Sequence, residues 1–341
     1  GTLGTHALNI GFQICGDADV ALLLGKLSVG MPGSLVGDSF PNARKISVYP
    51  DPVDVGRCYP VELGIVGDVK MVMRQMIEEA RKQKFPDYSE WVELLKGQVE
   101  GTRYMFDTIA DESATRMPMH PATAAKSVVE WVIDNQLNKD SFFAPDGANN
   151  FYWYSMFAGA HGMPHEFPHQ AVHAGMLAHS LGNIGSALGM AVGAACARPE
   201  KMLLVPSVGD GTIFYHFIEL ETLARLNVPA VIVVHNNNGF AMVYDDQRRV
   251  WGRQAKSGSF FQENIHYEVA AEGLGCAKGE FVEKPEDLKP ALDRALARAQ
   301  EEKKPVVVTC MTDPNIYLLE YGWWMLPVGP DGEPYTGIGM E

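Results

Sequence analysis

Features that would assign this 341-residue sequence to several function classes are scarce or missing. It contains only five cysteines, and no two of them form a CxxC pair. They are Cys15, Cys58, Cys196, Cys276 and Cys310. An odd number of scattered cysteines argues against a disulfide framework and against a cysteine-built zinc site, and it suits free thiols in a reducing compartment. We therefore expect a cytoplasmic protein.

Long apolar runs and an excess of positive charge are also lacking. No stretch of about 18 apolar residues offers a membrane span. Residues 1–17 contain no basic region followed by an apolar stretch, so we expect no secretion signal. The net charge of −14 argues against a nucleic-acid surface, which needs a basic stripe, and matches an anionic membrane poorly. We expect neither nucleic acid nor a membrane as a partner.

The composition that remains is that of an ordinary globular protein, with 46% hydrophobic and 21% charged residues. Residues 1–84 read as the end of a doubly wound α/β unit. Two short strands are predicted at residues 20–24 and 45–48, and a helix capped by Asp68 follows them. Two strands are too few for a free-standing sheet, so we expect that an N-terminal portion of this partial central domain is missing.

The more polar residues 85–120 are predicted to be a linker, and residues 121–341 a larger second domain. Its apolar strands alternate with helices, which indicates a parallel sheet covered on both faces. Helices are predicted at 122–135, 176–197, 213–226 and 285–302, and strands at 142–144, 201–208, 230–234 and 306–309. The fold class is therefore α/β.

Two polar motifs follow neighbouring strands of this predicted sheet. Gly209-Asp210-Gly211 lies where a buried strand ends and a helix begins, and the next strand ends in three asparagines and Gly239. Asp210 and Asn237 are separated by one helix and one strand, so both can reach one octahedral cation at the carboxyl edge of the sheet. The N–H groups of Gly211 and Thr212 would be free for a phosphate oxygen. Either motif alone is more often a simple turn or a solvated loop, but their combination indicates a cation and phosphate site.

The pair of motifs resembles the signature of the thiamine-diphosphate (ThDP) enzyme family, GDG followed by NN. This resemblance implies the parallel-sheet fold of that family's diphosphate-binding domain. It also implies that Asp210, the side chain of Asn237 and the carbonyl of Gly239 bind Mg²⁺, which anchors the diphosphate. Gly209, Gly211, Thr212 and Asn238 would contact the cofactor.

Two further segments are similar to the same family. In residues 179–189, Ile184 occupies the position of the apolar side chain that props the cofactor into its bent shape. The carbonyl of Gly182 and the N–H of Ile184 would bond the aminopyrimidine. Residues 145–150 are similar to a strand end that contacts the diphosphate in the family. The resemblance therefore implies such contacts for Gly147, Ala148 and Asn149. Taken alone, residues 179–189 would be read as a packed core segment, and they do not form the dinucleotide motif GxGxxG.

The activating glutamate of the family lies on a separate pyrimidine-binding domain, and we find no such domain in this sequence. We therefore expect a partner chain or subunit to supply it, in a dimer or tetramer, and we expect this chain to be inactive alone. Residues 18–25 and 48–52 resemble the central domain of acetolactate-synthase-like and 2-hydroxyacyl-CoA-lyase-like enzymes. Nothing in the residues supports bound FAD, ADP or CoA there, although the family permits them.

Other candidate residues are less specific. His165, His169 and His173 are candidate proton-transfer groups, but Pro164 and Pro168 break any helix that would make them a metal ladder, and the simpler reading is a polar loop. The substrate would lie near the residues that follow residues 236–239, which we call the metal loop. These following residues could equally form a packed aromatic loop. They are Phe240, Met242, Tyr244 and Gln247.

We interpret the sequence as part of a ThDP-dependent lyase or decarboxylase that cleaves a C–C bond in a 2-keto acid or a 2-hydroxyacyl(-CoA) substrate. The segment Gly147-Ala148-Asn149 favours the 2-hydroxyacyl-CoA lyase and oxalyl-CoA decarboxylase branch. An acetolactate-synthase-like carboligase is the close alternative. A non-catalytic cofactor-binding subunit and a Mg²⁺-dependent nucleotide-binding module are alternatives from other classes.

Overall fold

The computed structural model describes residues 16–25, 40–57, 59–137, 141–143, 146–147, 153–154, 157, 184–199, 202–244, 247, 258–263 and 265–316. The chain divides into two compact units between Lys96 and Gly97. Both are α/β with parallel strands, which confirms the fold class predicted from the sequence.

The first unit contains a parallel sheet of three strands in the order β1-β2-β3. The strands are β1 (Val20–Leu24), β2 (Arg44–Tyr49) and β3 (Leu63–Val66). Helix α1 (Val69–Ala80) follows, and Asp68 caps it as expected, because its carboxylate accepts the N–H of Met71 at 2.9 Å. Val48 at the centre of the sheet is buried, but none of the residues of α1 is.

The segment predicted as a linker differs from that prediction in its local structure. Residues 89–112 form the long helix α2 (Ser89–Glu112), and the division between the units falls inside it. Phe106 and Ala110 are buried, and the Phe106 ring meets that of Trp153 edge-on, so the second half of the helix contributes to the core of the second unit. The domain limits 1–84, 85–120 and 121–341 stay a prediction.

The second unit contains a parallel sheet of five strands in the order β4-β5-β6-β8-β7. The strands are β4 (Ser141–Phe143), β5 (Met202–Gly209), β6 (Ala230–Asn236), β7 (Glu280–Val282) and β8 (Pro305–Met311). The helices are α3 (Pro121–Asp134), α4 (Ser186–Ala197), α5 (Asp210–Ile213), α6 (Glu219–Arg225), α7 (Tyr267–Gly273) and α8 (Pro285–Glu302).

Strand β6 lies at the centre of this sheet, and all seven of its residues are buried. Ile232 and Val234 belong to an apolar cluster to which α4, α6 and α7 also contribute. Because side chains alternate along a strand, Val231 and Val233 point to the other face, where α8 contacts β6. Burial on both faces explains the continuous apolar sequence of the strand. It also holds the carboxyl ends of β5 and β6 side by side.

The single helix predicted over residues 213–226 is interrupted. After the short α5 the chain tightens, because Tyr215 and His216 each donate to a carbonyl three residues back, those of Thr212 and Ile213. Helix α6 begins only at Glu219. Within the described part of the chain, no helix is both long and apolar enough to cross a membrane.

Candidate functional site

The two polar motifs meet at the carboxyl edge of the second sheet. The parallel register pairs Gly209 at the end of β5 with His235 near the end of β6. Asp210 follows β5 directly, and its Oδ2 accepts the N–H of Asn237 at 3.1 Å and that of Gly239 at 2.9 Å. The three predicted metal ligands therefore lie together, although 27 and 29 positions separate Asp210 from the other two.

The carboxylate of Asp210 is held away from water, with 2% of the residue exposed. This burial raises the pKa of Asp210 to about 7, although hydrogen bonds from the backbone of Gly211, Gly239, Asn237 and Asn238 lower it. A desolvated carboxylate is costly to keep charged unless a cation lies beside it. The carboxylate of Asp210 therefore has the electrostatic character of a cation ligand.

The side-chain oxygen of Asn237, Oδ1, is a buried hydrogen-bond acceptor with no donor beside it among the described residues. Buried acceptors in native proteins almost always have a partner, so this oxygen suits a bound ion. Carboxylate, amide and backbone oxygens are the ligands that Mg²⁺ prefers. The donor set beside Asp210 thus fits a hard cation, and in the described part of the chain no cluster of three His, Cys, Asp or Glu side chains competes with it.

Gly239 is packed so closely that only glycine fits. A Cβ there would lie 2.3 Å from the backbone oxygen of Ser259. The metal loop pairs with residues 259–261, because Phe240 donates to the Ser259 carbonyl and Phe261 donates to the Asn238 carbonyl, each at 2.8 Å. Sequence reasoning did not assign this pairing segment to the site, and the Gly258-Ser259 turn before it was the only local signal.

The residues predicted to contact the diphosphate also converge. Gly147 has a φ of +98°, and a Cβ on it would lie 2.7 Å from the backbone N of Gly209 and 3.3 Å from Oγ1 of Thr212. One expectation needs correction. The N–H of Gly211 is not free for a phosphate, because it donates to Oδ1 of Asp210 at 2.7 Å.

Asp146, which had no role in the sequence-based prediction, is completely buried beside Gly147. Its carboxylate accepts the N–H of Gly147 at 2.7 Å, of Gly185 at 3.2 Å and of Ala187 at 2.8 Å. Burial raises its pKa to about 6, against the effect of these hydrogen bonds. Asp146 thereby joins the diphosphate segment to the turn that carries Ile184, which is itself half-buried. An acidic residue at a strand end, directly before Gly147, was the available signal.

The predicted substrate residues follow the metal loop, and three of the four contact residues 259–261. The Phe240 ring meets that of Phe261 edge-on at 4.8 Å. The Tyr244 ring is buried and meets that of Phe260 at 4.9 Å. Gln247 accepts a hydrogen bond from the Ser259 hydroxyl at 2.8 Å. Met242 is half-buried.

Behind the metal loop, two buried polar side chains support the end of β6. The hydroxyl of Tyr154 and Nε2 of His235 are 3.0 Å apart, and the two rings meet edge-on. Burial raises the pKa of Tyr154 well above its ordinary value, so its hydroxyl stays protonated. His235 lies two residues before Asn237, so this bond stiffens the strand end that presents the predicted ligand.

Several predicted site residues lie outside the described part of the chain. These are Ala148, Asn149, Gly182, His165, His169 and His173.

A carboxylate and an amide oxygen at two adjacent strand ends of a parallel sheet are an arrangement typical of α/β proteins that bind a cation and a phosphorylated ligand. Comparison with known families narrows that class. Residues 154–310 match the family described as thiamine pyrophosphate enzyme, C-terminal TPP binding domain. This part of the chain is similar to that family, and the resemblance recognised from the two motifs is confirmed.

The chain is also similar to named enzymes. It is 25% identical to a probable acetolactate synthase large subunit of Methanococcus aeolicus over 306 residues, 87% of this chain and 48% of that protein. It is 26% identical to human 2-hydroxyacyl-CoA lyase 1 over 317 residues, 87% of this chain and 50% of that protein. A shorter match to 2-hydroxyacyl-CoA lyase of Arabidopsis thaliana is 37% identical over 129 residues, 36% of this chain and 21% of that protein.

The chain therefore spans about half the length of the human and archaeal relatives.

Proposed function

We propose that this chain holds the diphosphate end of ThDP through a Mg²⁺ ion bound by Asp210, Asn237 and the carbonyl of Gly239. The observation that carries this proposal is the joint geometry of the three residues. Asp210 is bonded to the backbone of the other two, and the buried Oδ1 of Asn237 has no partner among the described residues. A divalent cation at this point would neutralise a buried carboxylate and satisfy that oxygen.

Around this ion, the chain's own groups bind and orient the cofactor. Gly147 and Gly209 approach each other closely enough to leave a narrow, side-chain-free surface beside Thr212. We infer that the diphosphate lies along this surface, with Gly211, Thr212 and Asn238 near it. Ile184, together with the carbonyl of Gly182, would support the aminopyrimidine end. The aromatic rings of Phe240 and Tyr244 would keep water from the substrate side.

The reaction follows from the cofactor class. When bound, ThDP would supply an electron sink for negative charge on the substrate's carbonyl carbon, which permits cleavage or formation of a C–C bond at that carbon. We infer that the complete protein is a lyase or decarboxylase for a 2-keto acid or a 2-hydroxyacyl(-CoA) substrate. Its activating glutamate would come from a pyrimidine-binding domain on a partner chain, in a dimer or tetramer. The similarity to 2-hydroxyacyl-CoA lyases supports this substrate class.

Reconstitution tests the proposal. This chain, mixed with a protein that carries the pyrimidine-binding domain, should turn over substrate in the presence of ThDP and Mg²⁺, and Asp210→Ala should abolish turnover. Asp134→Ala is the matched control, because that carboxylate lies 70% exposed at the end of α3. It should leave the rate unchanged. Turnover that survives Asp210→Ala would contradict the proposal.

A carboligase is the second candidate, supported by the similarity to acetolactate synthase large subunits. The two reactions give different products, so incubation with pyruvate and with a 2-hydroxyacyl-CoA separates them. Release of an aldehyde from the acyl-CoA supports the lyase, whereas a condensed hydroxyketo acid from pyruvate supports the carboligase. Cofactor binding without turnover of either substrate, even with the partner domain, would support a non-catalytic subunit.

A further inference from the structure

Asp146 connects three segments that are far apart in the sequence. Its backbone N–H donates to the carbonyl of Ser207 on β5 at 2.5 Å, which fixes the residue beside that strand. Its carboxylate accepts the N–H groups of Gly185 and Ala187, which are 39 and 41 positions away. The residue is completely buried, so water does not compete for these hydrogen bonds. A buried carboxylate that accepts several backbone N–H groups fixes their relative positions.

The turn that Asp146 binds is also held from the other side. His216, in the tight segment after α5, lies with its Nδ1 2.6 Å from the carbonyl oxygen of Gly185, so the ring N–H donates to that carbonyl. Gly185 has a φ of +95°, and a Cβ on it would lie 2.6 Å from Cβ of Tyr215. The amide and the carbonyl of Gly185 are thus both occupied, by groups from two different segments.

We propose that Asp146 is a positioning residue that fixes the turn carrying Ile184 against the end of β5, with His216 as its second support. The role rests on the proposed function, in which Ile184 supports the aminopyrimidine end of ThDP. Asp146 would then set the distance between the two ends of the cofactor site, because it bonds Gly147 on one side and Gly185 and Ala187 on the other. The bonds that its carboxylate makes in the structure are to backbone N–H groups of the chain itself.

The carboxylate suits this task better than an amide. Asp146 offers two acceptor oxygens to three N–H donors, whereas asparagine offers one oxygen and would direct its own NH₂ group at the remaining donors. Asp146→Asn keeps the shape of the side chain and removes half of its acceptors. His216 lies at the surface, so substitutions there test the second support without disturbing the core.

Two measurements test the proposal on the assembled protein. Amide hydrogen exchange at Gly185 and Ala187 reports whether the turn is held, and it needs no cofactor. The Kd for ThDP in the presence of Mg²⁺ reports whether the held turn matters for binding. The variants are Asp146→Asn, His216→Phe and His216→Gln. Trp131→Phe is the matched control, since it removes another hydrogen bond made by a buried side chain, from the indole N–H to the exposed Asp293, on a different part of the unit.

In Asp146→Asn, we expect exchange at Gly185 and Ala187 to accelerate and the Kd for ThDP to rise about tenfold or more, as for the loss of one buried charge-assisted hydrogen bond. His216→Phe should raise the Kd less, by about threefold, since one hydrogen bond at a half-exposed site is lost. His216→Gln, which keeps a donor, should restore binding. Trp131→Phe should change neither quantity.

Unchanged exchange in Asp146→Asn, a Kd within about twofold of the original, or an equal loss in Trp131→Phe would each overturn the positioning role. Failure of the proposed function looks different. In that case the original protein binds no ThDP although Asp146→Asn still accelerates exchange, and the positioning role for a cofactor falls with it.

Discussion

The two sheets of this protein differ in how completely they are covered. In the first unit, Leu63 of β3 is 50% exposed and α1 has no buried residue. In the second unit, every residue of β6 is buried and helices contact the sheet on both faces. The predicted site residues lie at the ends of β5 and β6. A strand end can hold ligands in fixed positions only where the rest of the strand is immobilised, and among the described residues β6 of the second sheet meets that condition along its whole length.

The largest effect is expected from a comparison of two glycines of the second unit, one in the predicted metal loop and one in a helix away from the sheet. Gly239→Ala would place a Cβ 2.3 Å from the Ser259 backbone oxygen, so the metal loop must move. We expect ThDP binding in the presence of Mg²⁺ to weaken about 100-fold or more, because ligand geometry tolerates little displacement. Gly101 in α2 has no atom within 4 Å of its Cβ position, and Gly101→Ala should stabilise the helix by about 0.5–1 kcal/mol. Calorimetric titration and thermal unfolding measure both effects. Equal binding by the two variants would contradict the account.

Truncation of one side chain in each sheet should have the next largest effect and should show how differently the two sheets are packed. Ile232→Ala in β6 removes a completely buried side chain and should lower the free energy of unfolding by about 2–5 kcal/mol. Leu63→Ala in β3 removes a side chain that is half exposed, and should cost about 1 kcal/mol or less. Urea unfolding followed by circular dichroism gives both values. Similar costs at the two positions would mean that the sheets are equally well packed.

Two buried tyrosines provide a finer test within the second unit. Tyr154→Phe removes the hydroxyl that bonds His235, and should cost about 1–2 kcal/mol. Tyr267 also has a buried hydroxyl, but this one has no hydrogen-bond partner among the described residues. Tyr267→Phe should therefore be neutral or slightly stabilising. Chemical unfolding of the two variants in parallel compares them, and the reverse order would show that the Tyr154–His235 bond does not stabilise the strand end.

At neutral pH the smallest expected effect is that of His120, whose contribution to stability depends on pH. Burial lowers the pKa of His120 to about 4, with Arg116 lowering it further and Asp313 opposing, and Nδ1 of the neutral ring accepts the N–H of Ala122. In the unfolded chain the ordinary pKa is near 6.5, so below that pH the unfolded state takes up a proton that the folded state refuses.

The contribution of His120 to stability should therefore be fully present above pH 6.5 and be lost progressively as the pH drops from 6.5 towards 4. His120→Asn keeps a capping acceptor but cannot titrate, so its unfolding midpoint should depend less on pH over this window. Parallel curves for the two proteins would exclude His120 as the source.

The sequence was sufficient to predict that Asp210, Asn237 and Gly239 lie together, because each motif is local and parallel strands end at one edge of the sheet. Asp210 and Asn237 each follow a recognisable apolar strand, and their proximity needs only the strand order. The same reasoning identified β5, β6, β8 and α8 almost to the residue. It could not predict the bonds of Asp146 to Gly185 and Ala187, because contacts between side chain and backbone across 39 and 41 positions leave no pattern in the sequence.

Two local features differ from what the sequence indicates, for the same physical reason. Residues 89–112 lie in a more polar segment, yet they form a helix in which tertiary packing buries Phe106 and Ala110. The amide of Gly211 was expected to be free, but the neighbouring carboxylate captures it. Propensity and motif describe a residue's own segment, whereas these outcomes depend on what lies next to it in the fold.

The most direct test of the central claim is a calorimetric titration of the protein with ThDP, with and without Mg²⁺, and with ATP and Mg²⁺. We predict that ThDP binds only when Mg²⁺ is present, that Asn237→Ala removes this binding, and that ATP does not bind. Binding of ATP without binding of ThDP, or ThDP binding that persists in EDTA and in Asn237→Ala, would contradict the account and favour a nucleotide-binding module or a different cofactor site.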